Sequence, residues 1–317
     1  MSKRMLAALI LVSSSILQLA CSGASSGASS GGAPQTPPAS GGGNQVVPAV
    51  THVILVVEEN QSYEDVVGSE SMPYFNSLLR SGGLATQYYA EAHPSLPNYF
   101  ELTAGQTIAL NDNFTGVVSQ NNVVRALTGA AKTWRCYADS LPKAGYLGGD
   151  VLPYLRHHVP FTYFSDVQDS PAQAANIVPF TQFSTDLASN ELPNYAFVVP
   201  NSINDGHDCP DGAAVCANDE KLTDIDTWLQ TNIDPLLKSS SFQDSLVIIA
   251  FDESEMTDLQ HGGGHVAAVI LSPKAKAGYQ STIFYQHNST LRLSLQALGV
   301  TAYPGDAATA AQMSEFF

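Results

Sequence analysis

Four stretches of the chain are apolar almost without interruption and rich in β-branched residues: 51–57 (THVILVV), 194–199 (NYAFVV), 245–251 (SLVIIAF) and 265–271 (HVAAVIL). A strand open to water on one face alternates apolar and polar residues. A continuous apolar run instead predicts a strand covered on both faces, as in a parallel sheet flanked by helices. Helix-like segments lie between the runs, at 72–81, 98–104, 172–177, 219–238 and 289–298, the last ending before Gly299. Of these, 224–237 has the clearest 3.6-residue spacing. Strands alternating with helices predict an α/β protein, a three-layer α/β/α sandwich with a mostly parallel sheet.

The residues that follow the runs carry the chemistry. The first is followed by Glu58, Glu59 and Asn60, the second by Asn201, Asn204, Asp205, His207 and Asp208, and the third by Asp252 and Glu253. Ligands of open parallel sheets bind beyond the carboxyl ends of the strands. Carboxylates at buried strand ends are costly unless something positive meets them. Glu59, Asn60, Asp252 and Glu253 form an oxygen-rich set, which suits one hard divalent cation (Ca²⁺, Mg²⁺ or Mn²⁺) better than zinc.

A nucleophile candidate lies in 91–99 (EAHPSLPNY). Pro97 fits the first turn of a helix, which puts Ser95 or Leu96 at its start. A helix N-terminus presents free N–H groups suited to a phosphate. A serine there, close to a divalent cation, can be activated as an alkoxide.

The chain has 13 basic and 29 acidic residues in 317, a formal charge of −16. That excludes the basic face a nucleic-acid binder needs, and a basic patch for anionic membranes. Lys3 and Arg4 precede an apolar stretch that ends at Leu19-Ala20-Cys21, the layout of an export signal. Cys21 stands where a bacterial lipoprotein is lipidated, although Gln18 is atypical three residues before it. Residues 1–21 are therefore expected to be a lipoprotein-type signal, 22–44 a Ser/Gly/Pro-rich linker without charge, and 45–317 the functional domain. The expected location is the cell envelope or the exterior, with membrane attachment only through the lipid. The sequence carries no signal for an oligomeric state.

Taken jointly, four blocks resemble the bacterial phosphoesterase family of acid phosphatases and phospholipases C, within the alkaline-phosphatase superfamily. HVILVVEENQSYEDVVG resembles the strand plus E-N-x-S-[FY] signature. HPSLPNYFELTAG resembles the nucleophile block, VVPNSINDGHD the P-N-x-x-x-D-x-H-D block, and VIIAFDE the strand-D-E block. The blocks run in family order over about 51–300.

The resemblance implies metal-ligand roles for Glu59, Asn60, Asp252 and Glu253, with Ser95 as nucleophile beside the metal. It brings His207 into the site, with His158 in a second block and Asp205, His93, His265 and His287 as further candidates. Three departures stand out: Gln61 replaces a basic residue, His265 stands where arginine is common, and 261–265 is unusually glycine-rich.

The implied activity is phosphomonoester hydrolysis through a phosphoserine. Asn98 and helix N–H groups would hold the phosphate, and His207 or His158 would protonate the leaving alcohol. A small phosphate ester or a phospholipid headgroup would be the substrate. A phospholipase C, a phosphoinositide phosphatase and a non-catalytic surface lipoprotein are the alternatives. Cys209 and Cys216 are expected to pair and brace the His207 loop, leaving Cys136 free, with Cys136 paired to one of them as the alternative. His261-Gly262-Gly263-Gly264 resembles an esterase oxyanion motif, but no G-x-S-x-G lies in the body of the chain.

Overall fold

The computed structural model describes residues 46–317, so the expected signal, Cys21 and linker lie outside it. Among the described residues ten strands form: β1 (His52–Glu58), β2 (Gly83–Ala85), β3 (Tyr88–Tyr89), β4 (Trp134–Ala138), β5 (Ile177–Pro179), β6 (Tyr195–Val199), β7 (Ser245–Phe251), β8 (Ala268–Leu271), β9 (Tyr279–Ser281) and β10 (Tyr285–Gln286). Eight build one sheet in the order β5-β4-β6-β1-β7-β8-β2-β9; β3 and β10 pair apart from it. β8 runs antiparallel to both of its neighbours, and every other pairing in the large sheet is parallel. Helices cover the sheet to complete the three-layer sandwich.

The central strands are the apolar runs. Val53 to Val57 and all of β7 are shut off from water, so these strands carry no solvent-facing side. β1 lies between β6 and β7, with Leu55 beside both Phe197 and Ile248. Their carboxyl ends therefore emerge side by side, which is what gathers the acidic residues.

Some boundaries move. The expected helix 219–238 is two helices, Asn218–Asn232 and Asp234–Leu237. Pro235 has no N–H to continue the first one. The segment 172–177 is helical only over Pro171–Ala174, and Ile177 opens β5. The run 265–271 shortens to β8, because His265 makes only an isolated bridge to Tyr89. The helix expected over 98–104 begins at Ser95, and all ten of its residues, Ser95–Ala104, are buried. It ends at Gly105, whose left-handed φ of 64° suits a glycine cap. A Cβ there would also lie 2.5 Å from the Pro304 carbonyl.

Candidate active site

Ser95 is the first residue of its helix, and Pro97 occupies a first-turn position whose N–H would be unpartnered in any case. The Ser95 hydroxyl lies 3.0 Å from Glu59 Oε2 and 2.9 Å from Glu253 Oε1. Its single proton can serve one of them at a time. Glu59, Asp252 and Glu253 are buried and present ligand oxygens within 4.8 Å of one another. Two chain crossings build this arrangement. Asp252 N donates to Glu58 O, extending the β1–β7 ladder past the strands, and Glu59 N donates to Asp205 O from the loop after β6.

Asn60 follows in the left-handed region, φ 50°, which asparagine tolerates better than most residues. Its N–H donates to Asp252 Oδ1.

Three buried oxygens of this set make no hydrogen bond: Asn60 Oδ1, Asp252 Oδ2 and Glu59 Oε1, the last approached only by His158 Nε2 at 3.3 Å without hydrogen-bond geometry. Burial, and then the Asp252, Asp205 and Glu253 charges, push the Glu59 carboxyl well above its ordinary range. Burial, and then Glu253, do the same to Asp252. Orphaned, converging and mutually repelling oxygens fit a hard divalent cation, and the donor set lacks the His and Cys that zinc favours.

Imidazoles flank the acids. His93 Nδ1 bonds Glu253 Oε2, and its Nε2 lies 2.8 Å from the Asp258 carbonyl. Burial pulls this ring down, but the bonds to Glu253 and Asp258 outweigh it and raise its pKa. His158 is sealed in, with Nδ1 3.2 Å from Asp205 Oδ2 and Nε2 3.3 Å from Glu59 Oε1. Tyr99 stacks against it at 5.2 Å. Burial, and then His207, hold His158 well below the usual imidazole range. Burial alone leads the shift that lifts Asp205 to about 8. His207 is partly exposed, 5.8 Å from the His158 ring, with Nδ1 2.9 Å from Asp208 Oδ1.

Other candidates fall elsewhere. The Asn98 amide is engaged by the backbone on all sides. Its Oδ1 accepts from Glu91 N and Ala92 N, and its Nδ2 donates to the Ala92 and Pro94 carbonyls. The amide is spent holding the loop that presents Ser95. His265 lies between Tyr63 and Tyr89, at 4.2 and 4.7 Å, and bonds Glu64 rather than the acid cluster. His287 bonds Glu91 and the Phe251 carbonyl, a prop beneath the site. Cys209 and Cys216 form a disulfide, and Cys136 is a buried thiol in β4.

Asp112 gave no sequence signal, and Glu58, one of the strand-end acids, was assigned no role. Asp112 Oδ1 accepts the Leu96 N–H at 2.9 Å, on the free end of the nucleophile helix. Glu58 is wholly buried with both oxygens unpartnered, its pKa raised by burial and then by Asp205.

The sheet order, the strand-end acids and the helix-borne serine define an alkaline-phosphatase-like α/β/α protein. A structure from Vibrio parahaemolyticus, described as a protein in the alkaline phosphatase superfamily, superposes with a TM-score of 0.60 at 13% identity, covering 82% of this chain and 69% of that one. Residues 69–301 match the Phosphoesterase family, and the chain belongs to it.

A phosphatidylinositol-3-phosphatase of Mycobacterium tuberculosis is 33% identical over 211 residues, 66% of this chain and 65% of that protein. An acid phosphatase of Aspergillus fumigatus is 32% identical over 246 residues, 74% of this chain and 51% of that protein. The chain thus spans between half and two thirds of the length of these curated relatives.

Proposed function

We propose that this chain is an exported, cation-dependent phosphomonoesterase of the acid phosphatase kind, working through a phosphoserine at Ser95. The observation that carries the reading is the contact of one helix-borne hydroxyl with two of three clustered, buried carboxylates. Membership of the Phosphoesterase family and the names of its relatives support it.

Glu59, Asn60, Asp252 and Glu253, with the Ser95 oxygen, are the residues that would hold the cation. When bound, it would supply positive charge to the serine oxygen and the phosphate. The chain's own residues do the rest. Ser95 Oγ forms a bond to phosphorus and gives its proton to Glu59 or Glu253, while the phosphorus–alcohol bond breaks. His207 Nε2 gives a proton to the departing alcohol oxygen. Water then attacks phosphorus and gives a proton to the now neutral His207, while the phosphorus–serine bond breaks and the serine oxygen takes its proton back from the Glu59 or Glu253 carboxylate. Glu253 is held in place by His93, and Ser95 by the Asn98-braced loop.

Export is proposed from the N-terminal pattern, with Cys21 as a lipid anchor. The name of the Mycobacterium tuberculosis relative favours a phosphoinositide headgroup as a second substrate reading.

The test is p-nitrophenyl phosphate turnover with and without chelator, with bis-p-nitrophenyl phosphate beside it, and acid-quenched mass mapping for phospho-Ser95. Ser95→Ala is expected to lower kcat at least about 10³-fold in a folded protein. Near-normal turnover by that variant ends the proposal.

A further inference from the structure

A cavity of about 500 Å³ opens beside His207. That falls in the range of small-molecule sites, roughly 300–1,000 Å³. Its walls include Leu152, Pro153, Ile203, Ala213 and Ala214. Leu152 is 74% exposed, and Val215, next to Ala214, is 87% exposed. Apolar side chains are thus held out to water at the rim of a hollow that reaches the acid cluster through His207, whose ring lies 5.8 Å from that of His158, itself 3.3 Å from Glu59 Oε1. The feature is also braced. Cys209, another wall residue, is bridged to Cys216, which closes the loop carrying Ala213 and Ala214. Lys221 donates to the His207 carbonyl at 2.6 Å and so ties that loop to the helix Asn218–Asn232.

The geometry gives this cavity a place in the reaction. In an in-line transfer the alcohol departs on the side away from the attacking serine, and the proton donor stands beside it. His207 has Nδ1 occupied by Asp208, which leaves Nε2 for substrate. The same His207 lines the cavity. Whatever the departing oxygen carries therefore extends between Leu152, Ile203 and Ala214. Lys221 and Asp208 both line the hollow and their charges offset one another, Lys221 keeping its charge while it donates to the His207 carbonyl, so the apolar walls decide what the hollow takes.

We propose that this cavity is the leaving-group subsite and that it selects phosphate esters of alcohols with an apolar body, aryl or alkyl, over those of sugars and nucleotides. The proposal rests on the phosphomonoesterase reading with His207 as proton donor.

Its test is kcat/KM along n-alkyl phosphates from ethyl to hexyl, with glycerol phosphate as the polar control. Full burial of one methylene corresponds to about a fourfold gain, so even partial burial predicts at least about a tenfold rise across the series. Ala214→Trp, at an exposed loop position, is expected to shrink the hexyl-to-ethyl ratio at least about fivefold by filling the hollow. Phosphatidate in phosphatidylcholine vesicles is the lipid arm. Its preference over hexyl phosphate would make the alcohol a membrane lipid, and the reverse order a soluble ester; either supports an apolar subsite. A flat alkyl series, or a ratio unmoved by Ala214→Trp, overturns the subsite while p-nitrophenyl phosphate turnover leaves the enzyme reading intact. Absence of that turnover removes both.

Discussion

Chelating the protein should expose the cost of its own carboxylates. Glu59, Asp252 and Glu253 hold oxygens within 4.8 Å of one another. Two charges at that separation repel by about 3 kcal/mol even at an effective dielectric of 20. Three such pairs would rival the whole stability of a domain, about 5–15 kcal/mol. The cation-free protein must therefore hold protons there, which is the sense in which Glu59 and Asp252 are shifted upward, by burial first and repulsion second.

The sign of the pH dependence follows. A carboxylate whose folded pKa is raised binds more protons folded than unfolded, so stability falls as pH climbs above the ordinary carboxylate range. Chelated protein should lose melting temperature steadily from about pH 4 to pH 8. A cation at 100 times its Kd should restore about 2.7 kcal/mol near pH 7.5, or about 5–10 °C.

Differential scanning calorimetry over that pH range, with Mg²⁺, Ca²⁺, Mn²⁺ and Zn²⁺ compared against chelator, reads both effects. Glu59→Gln gives the opposite signature: chelated variant melting above chelated wild type at pH 7.5, with most of the cation gain gone. If the melting temperature of chelated wild type stays level or rises with pH, and no cation moves it, the cluster is not a cation site.

Further outcomes can be checked separately. His207→Asn should slow alkyl phosphates by about 10²–10⁴-fold and p-nitrophenyl phosphate far less, because nitrophenolate departs without a proton; equal losses would remove His207 from the donor role. Replacing both Cys209 and Cys216 with serine opens an eight-residue loop, for which loop entropy gives about 2.5 kcal/mol, read as the shift in urea midpoint. Asn98→Ala strips four backbone partners from the 91–94 loop. It should cost about 2–3 kcal/mol and lower kcat more than it raises KM. Gly264→Ala sets a Cβ 1.9 Å from Ser254 Oγ at φ +86°, so soluble yield and melting temperature should both fall.

The central sheet could be read from the chain because β1, β6 and β7 need nothing beyond themselves: an unbroken apolar run predicts burial on both faces wherever it sits. The short strands β2, β5, β9 and β10 were invisible for the opposite reason. Two or three residues hold no period, and they become strands only because a neighbour offers a ladder.

The same division runs through the site. Glu59, Asp252 and Glu253 announce themselves as acids directly after buried strands, and Ser95 by the proline that follows it in the first turn. What decides their geometry lies in pairings distant along the chain, such as Ser95 with Glu253, 158 residues apart, and His287 with Glu91, 196 apart. No local pattern encodes these.

His265 shows the error this produces. It was a site candidate standing where arginine is common, and two tyrosines from other segments stack against it while it bonds Glu64 rather than the acid cluster. Asn98 shows a subtler one: the residue belongs to the site, but four local backbone groups absorb every polar atom of its amide. A buried oxygen the fold leaves unpaired calls for a partner from outside the chain. By that measure the orphaned oxygens of Glu59, Asn60 and Asp252 mark the working face, and satisfied neighbours such as Asn98 and His287 are its frame.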